Sequence, residues 1–157
     1  MHVICTPSVH VQETSLLSFA FITAKRECRR PVKMVIQEKT EGIDNLFELL
    51  EKHKDKKVQY ILFCGSKDSD GASWCPDCVT AEPVVMKCLE AAPENAVFIY
   101  CSVGDRASWK DPNNSYRTHP KLLLKGVPTL LQWNTPKKLV EEECAKEDLV
   151  SLFFEED

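Results

Sequence analysis

Two cysteines separated by two residues carry the strongest chemical signal in this sequence, in the segment Trp74-Cys75-Pro76-Asp77-Cys78. On one turn of a helix, this spacing lets the two sulfurs close into a disulfide. The thiolate is the form that attacks disulfides, and the positive end of a helix lowers the pKa of a thiol placed there. We therefore expect Cys75 to be the nucleophile and Cys78, one turn further in, to resolve the mixed disulfide.

The same spacing also occurs in half of a zinc site, which needs four ligands, usually from a second cysteine pair or two histidines. The cysteines outside the motif form no second pair, and the four histidines show no metal-ligand spacing. We therefore predict no metal and no other cofactor. The remaining cysteines are Cys5, Cys28, Cys64, Cys88, Cys101 and Cys144.

Four of these cysteines fall within predicted structural elements. Cys64 and Cys101 lie on apolar strands and are expected to be small core residues, because free cysteine is among the most buried residue types. For Cys88 and Cys144 a core or surface position without chemistry is expected, and a regulatory role stays open.

A strand and a helix must position the motif. Residues Val58–Cys64 are short, nearly all apolar and followed by Gly65, which predicts a buried strand. After a polar loop, Pro76 begins a helix that extends to about residue 92, because proline is favoured at the first helical position. Pro83 lies inside this pattern and should kink the helix.

The rest of the chain alternates in the same way, and predicts an α/β fold with a central mixed β-sheet flanked by helices. The predicted strands are 35–36, 58–64, 96–103, 127–133 and 139–142. The first predicted helix begins at 43 and ends in the basic run 52–57, and the other two cover 76–92 and 146–157. A long connection with a turn at 111–114 follows the third strand.

Composition excludes several classes of protein. The chain has 157 residues, enough for one domain, and a net charge of −4, which excludes the basic footprint of nucleic-acid binding. It has no apolar run near the roughly 20 residues that span a bilayer. Eight irregularly spaced cysteines do not suit a small disulfide scaffold and favour a compartment where thiols stay reduced.

Residues 1–33 differ from the rest. Their basic residues follow the apolar stretch Leu16–Ile22, whereas a secretory signal has positive charge first. We expect an N-terminal leader that is disordered or precedes an alternative start at Met34, and a folded domain over 34–157.

The motif after a buried strand, together with Gly126-Val127-Pro128-Thr129 before a later strand, resembles the thioredoxin superfamily. In that family the proline matching Pro128 is cis and faces the active cysteines. Further segments resemble a group of cytosolic thioredoxin-related proteins with the same five-residue site, over nearly all of the domain. These segments are Gly65-Ser66-Lys67-Asp68, Ala81-Glu82-Pro83-Val84-Val85, Val97-Phe98-Ile99-Tyr100-Cys101 and Trp109-Lys110-Asp111-Pro112-Asn113-Asn114.

The resemblance implies a disulfide reductase recharged by an NADPH-dependent thioredoxin reductase. Its substrates would be selected protein disulfides and small disulfides such as cystine, and peroxide removal is associated with such proteins. It implies Trp74, Val127 and Pro128 as the substrate cleft around Cys75 and Cys78. We further expect a cytosolic monomer that binds neither nucleic acid nor membranes.

The site departs from ordinary thioredoxin in two ways. Pro76-Asp77 replaces Gly-Pro between the cysteines and would tune the site, and the strand Val58–Phe63 lacks the buried acid found there. Asp77 is then the nearest candidate to influence proton transfer at Cys78, and its charge should disfavour a thiolate nearby. Trp74 could pack beside the site or cover a substrate.

Two other functions stay open at this point. A non-catalytic thioredoxin-fold interaction module in redox signalling would bind partners through the cleft, although it would need neither cysteine. A secretory disulfide oxidase or isomerase would need residues 1–33 as a signal and usually has a histidine where Asp77 stands. A glutaredoxin would need a glutathione pocket, which the sequence gives no basis to assign.

Overall fold

The computed structural model describes residues 35–155. The expected leader, residues 1–33, lies outside this range, as does the boundary expected at Met34. No helix in the described part of the chain is long and apolar enough to cross a membrane.

The described chain forms a mixed five-stranded sheet in the order β1-β3-β2-β4-β5. Strands β1 and β2 both run parallel to β3, while β4 is antiparallel to β2 and β5 is antiparallel to β4. The predicted mixed sheet is therefore confirmed. The strands are β1 Ile36–Glu41, β2 Gln59–Cys64, β3 Val97–Ser102, β4 Thr129–Gln132 and β5 Lys138–Val140.

Burial explains the order of the strands. All six residues of β2 and all six of β3 are buried, as their continuous apolar runs predict for central parallel strands. Strand β1 alternates between half-buried and exposed residues, which suits its place at the edge. Strand β1 is longer than the predicted pair 35–36. Its other residues are polar, so they do not form the apolar run that predicts a strand.

The helices flank the sheet. Their bounds are α1 Ile43–Lys52, α2 Pro76–Cys88, α3 Arg106–Lys110, α4 Ser115–Thr118 and α5 Glu147–Glu155. Helix α2 is shorter than predicted, because a 3₁₀ turn at Leu89–Ala91 replaces its last turn. A second 3₁₀ turn, Glu141–Ala145, precedes α5 and was not predicted.

The connection after β3, predicted as a long segment with a turn at 111–114, contains two short helices. The Asp105 carboxylate caps α3 by accepting the Ser108 N–H at 2.7 Å, and the Asn114 side chain caps α4 by accepting the Tyr116 N–H at 2.9 Å. Both helices are too short to show helical periodicity in the sequence, so the caps were their only signal.

One face of the sheet is covered by α2 and α5. The Tyr60 ring of β2 packs against Phe153 and Phe154 of α5, with ring centroids 5.8 and 4.9 Å apart. Side chains alternate along a strand, so Cys64 at the end of β2 points to this same face. Tyr100 of β3 pairs with Leu62, between these two residues, and shares the face as well.

Candidate active site

The loop between β2 and α2 is folded back on the sheet. Ser66 donates its N–H to the Gly104 carbonyl at 3.0 Å and accepts the N–H of Trp74 at 3.3 Å. The Asp68 carboxylate closes the tip of the loop by accepting the N–H groups of Asp70 and Ala72, both at 3.0 Å. These bonds fix the backbone that leads into the cysteine motif.

Trp74 packs beside the site. Its indole N–H donates to the Gly104 carbonyl at 2.8 Å, and its ring lies against Gly65. A Cβ at Gly65 would come within 2.5 Å of the ring atom Cε2, so this close approach requires glycine. The packing interpretation of the half-buried Trp74 is thus supported, and a contact with substrate stays a prediction.

Cys75 occupies the N-terminal cap of α2, directly before Pro76. Its sulfur accepts the Cys78 N–H at 3.2 Å, and its thiol donates to the Val127 carbonyl at 3.4 Å. The Val127–Pro128 peptide bond is cis, as the resemblance implies, and both residues are buried. The structure therefore brings Cys75, Cys78, Val127 and Pro128 together.

Opposing effects act on the pKa of the Cys75 thiol. Burial raises its pKa to about 12, and the neighbouring Cys78 thiol acts in the same direction, while the Cys78 N–H lowers the pKa by donating to the sulfur. The donor expected at the helix end is present. In the reduced site, burial has a larger effect on the pKa of Cys75 than this hydrogen bond. The prediction that the pKa of Cys75 is lowered is therefore wrong for the reduced site.

The two spacer residues are exposed. Pro76 is the first residue of α2, as predicted. The Asp77 charge raises the pKa of Cys75 and is the smallest of the contributions to it. The direction agrees with the expectation that this carboxylate disfavours a thiolate, but the thiol concerned is Cys75 rather than Cys78.

Cys78 is fully buried. Its pKa is raised by the Cys64 thiol, which sequence reasoning placed in the core without a role, and by burial. The signal available in the sequence was position, because Cys64 ends the strand that runs into the site loop. Neighbouring strand ends and loops are where functional groups of such sheets meet.

Of the other described cysteines, Cys144 lies beside the site, where its thiol donates to the Pro128 carbonyl at 3.8 Å. The sulfur of Cys101 is 3.5 Å from the Tyr116 hydroxyl, Cys88 accepts from Ser151 at 3.4 Å, and Cys144 donates to a backbone carbonyl at 3.3 Å. All described cysteines are free thiols. Within residues 35–155, no group of three or more His, Cys, Asp or Glu side chains is arranged to hold a metal ion.

Comparison with known proteins identifies relatives over most of the chain. A family profile described as thioredoxin domain-containing protein 17-like, thioredoxin domain, matches residues 37–156. Thioredoxin domain-containing protein 17 of Epinephelus coioides is 52% identical over 116 residues, covering 74% of this chain and 92% of that protein. The human protein of the same name is 49% identical with the same coverage.

More distant similarities extend to other thioredoxin-like proteins. The thioredoxin-like protein Clot of Arabidopsis thaliana is 46% identical over 79 residues, which cover 50% of this chain and 59% of that protein. The solved structure of oxidised mitochondrial thioredoxin 3 from Saccharomyces cerevisiae covers 76% of this chain and 92% of that chain, with 18% identity and a TM-score of 0.47. The matches to the family and its members confirm the resemblance inferred from the motifs.

Proposed function

Because the chain belongs to the thioredoxin domain-containing protein 17-like family of thioredoxin domains, we propose that it is a disulfide reductase. Membership makes it a thioredoxin-fold redox protein. The observation that carries the finer proposal is the placement of Cys75, which caps α2 and donates its thiol to the Val127 carbonyl beside cis-Pro128. A substrate disulfide that docks along this segment meets the Cys75 sulfur first.

The reaction runs in two exchange steps. Cys75 loses its proton and attacks one sulfur of the substrate disulfide, which forms a mixed disulfide and releases the other sulfur as a thiolate that takes up a proton. Cys78 then loses its proton and attacks the Cys75 sulfur. This releases the second substrate thiol and leaves the Cys75–Cys78 disulfide, so two electrons have passed from protein to substrate.

The arrangement of the two thiols supports these roles. The Cys75 sulfur already accepts the Cys78 N–H, so the thiolate that forms there before the attack on the substrate is stabilised by a charge-assisted hydrogen bond. Cys78 is enclosed and meets an incoming disulfide only after Cys75 has bound it. The exposed Asp77 places negative charge beside the entrance and should select against acidic partners.

We propose an NADPH-dependent thioredoxin reductase as the electron donor, with selected protein disulfides and cystine as substrates in the cytosol. The protein would act as a monomer, without nucleic-acid or membrane partners. Peroxide removal would use the same pair: Cys75 becomes a sulfenic acid, and Cys78 condenses with it to the disulfide and water.

The experiment is a coupled assay in which NADPH oxidation is followed with thioredoxin reductase and either cystine or insulin as substrate. We expect turnover with wild-type protein, and none with Cys75→Ser or Cys78→Ser. Replacing the reductase with glutathione should support much slower turnover. If wild type and Cys75→Ser are equally inactive while both bind the same partner, the protein is an interaction module instead.

A further inference from the structure

A cavity lies at the opposite end of the sheet from the cysteine motif. Gln59, which begins β2, and Gln132, which ends β4, both line it. The cysteine motif follows the other end of β2, and cis-Pro128 directly precedes the other end of β4. The cavity has a volume of about 400 Å³, which is within the range of small-molecule sites. The reductase cycle does not use it.

A second cavity of about 400 Å³ adjoins the first, and the two together are termed the distal cleft. They share the wall formed by Lys121 and residues 132–135. Within the described chain, the distal cleft is lined by six lysines and one acidic residue, Glu51. The lysines are Lys54, Lys56, Lys57, Lys121, Lys137 and Lys138. The whole chain has a net charge of −4, so this surface is opposite in sign to the protein and attracts anions.

Nearby carboxylates neutralise only part of this charge. Lys54 pairs with Glu51, and Lys56 pairs with Asp55 at 3.3 Å. The side chains of Lys54 and Glu51 are both 71% exposed, and ion pairs exposed to this extent contribute little free energy. A multiply charged anion can therefore replace these carboxylates as the partner of the lysines.

Aromatic rings stand beside the lysines. Phe47 and Trp133 both line the cleft, with ring centroids 5.7 Å apart in an edge-on arrangement. The Lys121 ammonium lies 5.6 Å from the centre of the Trp133 ring. An aromatic side chain next to lysines suits a ligand that joins a planar base to phosphate groups, because the base stacks on the ring and the lysines bind the phosphates.

Two glutamine side chains give an independent indication of a ligand. The Gln59 side chain is buried, and its amide nitrogen donates to the carbonyls of Leu50 at 3.2 Å and His53 at 2.7 Å, which fixes the direction of the amide. The side-chain oxygens of Gln59 and Gln132 have no hydrogen-bond partner within the described residues. Buried acceptors are normally paired with a donor. Gln132 is only half-buried, so a rotation of its side chain brings its oxygen to an N–H group of a bound base.

We propose that the distal cleft binds a nucleoside di- or triphosphate, with the base against Trp133 and the phosphates on the lysines. The ligand takes part in no chemical step, and the inference does not depend on the proposed reductase function. No sequence motif indicates this site, because its lysines come from three separate segments. These segments are the end of α1 with the turn after it, the loop before β4 and the β4–β5 connection.

The experiment is isothermal titration calorimetry of the full-length protein with ATP, at low and at physiological salt. We expect saturable binding that weakens as salt rises, because salt screens the attraction between lysines and phosphates. Adenosine and inorganic tripolyphosphate should each bind at least about fivefold more weakly than ATP, because each of them makes only one of the two kinds of contact.

Three variants test the placement of the ligand. Lys121→Gln should weaken ATP binding at least about threefold, because it removes a charged contact to phosphate. Trp133→Leu should weaken ATP binding at least about fivefold and leave tripolyphosphate binding unchanged, because it removes only the stacking surface. The matched control Lys110→Gln, an exposed lysine of α3 outside the cleft, should bind ATP as wild type does. Urea unfolding shows whether each variant is folded, and if Trp133→Leu is not, Lys121→Gln and the adenosine titration decide.

Four results would overturn the inference. Wild-type protein that does not bind ATP would refute the site itself. Tripolyphosphate that binds as tightly as ATP would show a surface for polyanions without selection of a base. Unchanged ATP affinity in Lys121→Gln would place the nucleotide elsewhere on the protein. Tighter binding of a short single-stranded RNA than of ATP would make the cleft a nucleic-acid surface.

Discussion

The contact between Gly65 and Trp74 makes a sharp test of how the site loop is held. A Cβ at Gly65 would lie 2.5, 2.7 and 2.9 Å from the ring atoms Cε2, Nε1 and Cζ2 of Trp74. These distances are far below van der Waals contact, so in Gly65→Ala the indole must move. Its hydrogen bond to the Gly104 carbonyl, 2.8 Å long, then stretches or breaks.

The expected cost combines overpacking with loss of that bond. Forcing an extra carbon into a packed contact costs about 1–3 kcal/mol, and a lost hydrogen bond adds about 1 kcal/mol. Gly65 does not have a left-handed backbone conformation, so strain of that kind does not contribute. We expect Gly65→Ala to lower the free energy of unfolding by about 2–4 kcal/mol, and to lower reductase turnover because Trp74 borders Cys75.

Urea unfolding followed by circular dichroism measures this cost, and two further variants identify its source. Trp74→Phe removes the atoms that clash, so the cost of Gly65→Ala should fall by about 1 kcal/mol or more in that background. Gly71→Ala, in the same loop, adds a Cβ in open space at a φ of +81° and reports backbone strain alone. A Gly65→Ala cost below about 0.5 kcal/mol, with no coupling to Trp74→Phe, would refute the reasoning.

Three other predictions concern charge, the core and the leader. Asp77→Asn should lower the pKa of Cys75, because the Asp77 charge raises that pKa. Titration of thiolate absorbance measures the shift, and an unchanged or higher pKa would contradict this effect of Asp77. Tyr116→Phe should cost about 1 kcal/mol in urea unfolding, because the buried hydroxyl donates to the Ser102 carbonyl at 3.1 Å; a neutral result would mean that this bond adds nothing. Deleting residues 1–33 should leave melting temperature and turnover unchanged, since all described strands and helices follow them; a large fall in either would show that the domain needs them.

The sequence predicted the elements that carry long apolar runs. The apolar runs correctly predicted strands β2 and β3, and the preference of proline for the first helical position correctly predicted that α2 begins at Pro76. The short helices α3 and α4 were not predicted, because five and four residues are too few for a periodic pattern. Tertiary packing stabilises these two helices, because the buried side chains of Trp109 and Tyr116 hold the connection against the sheet.

The site was predictable in composition but not in its electrostatics. The spacing of Cys75 and Cys78 and the motif around Pro128 identified the groups that meet. Burial of Cys75, which raises its pKa, depends on the Val127 segment folding back over it from a distant part of the chain.

The central claim is that Cys75 attacks a disulfide and Cys78 resolves the product, and one trapping measurement tests it most directly. Cys78→Ser and Cys75→Ser are each incubated with cystine, blocked with N-ethylmaleimide and digested with trypsin, and the peptide 68–87 is examined by mass spectrometry. Cys78→Ser should accumulate a mixed disulfide with cysteine on Cys75, while Cys75→Ser should accumulate none on Cys78, because that thiol is fully buried. A mixed disulfide that forms on Cys78 and not on Cys75 would reverse the roles, and its absence from both variants would contradict the proposed reaction with cystine.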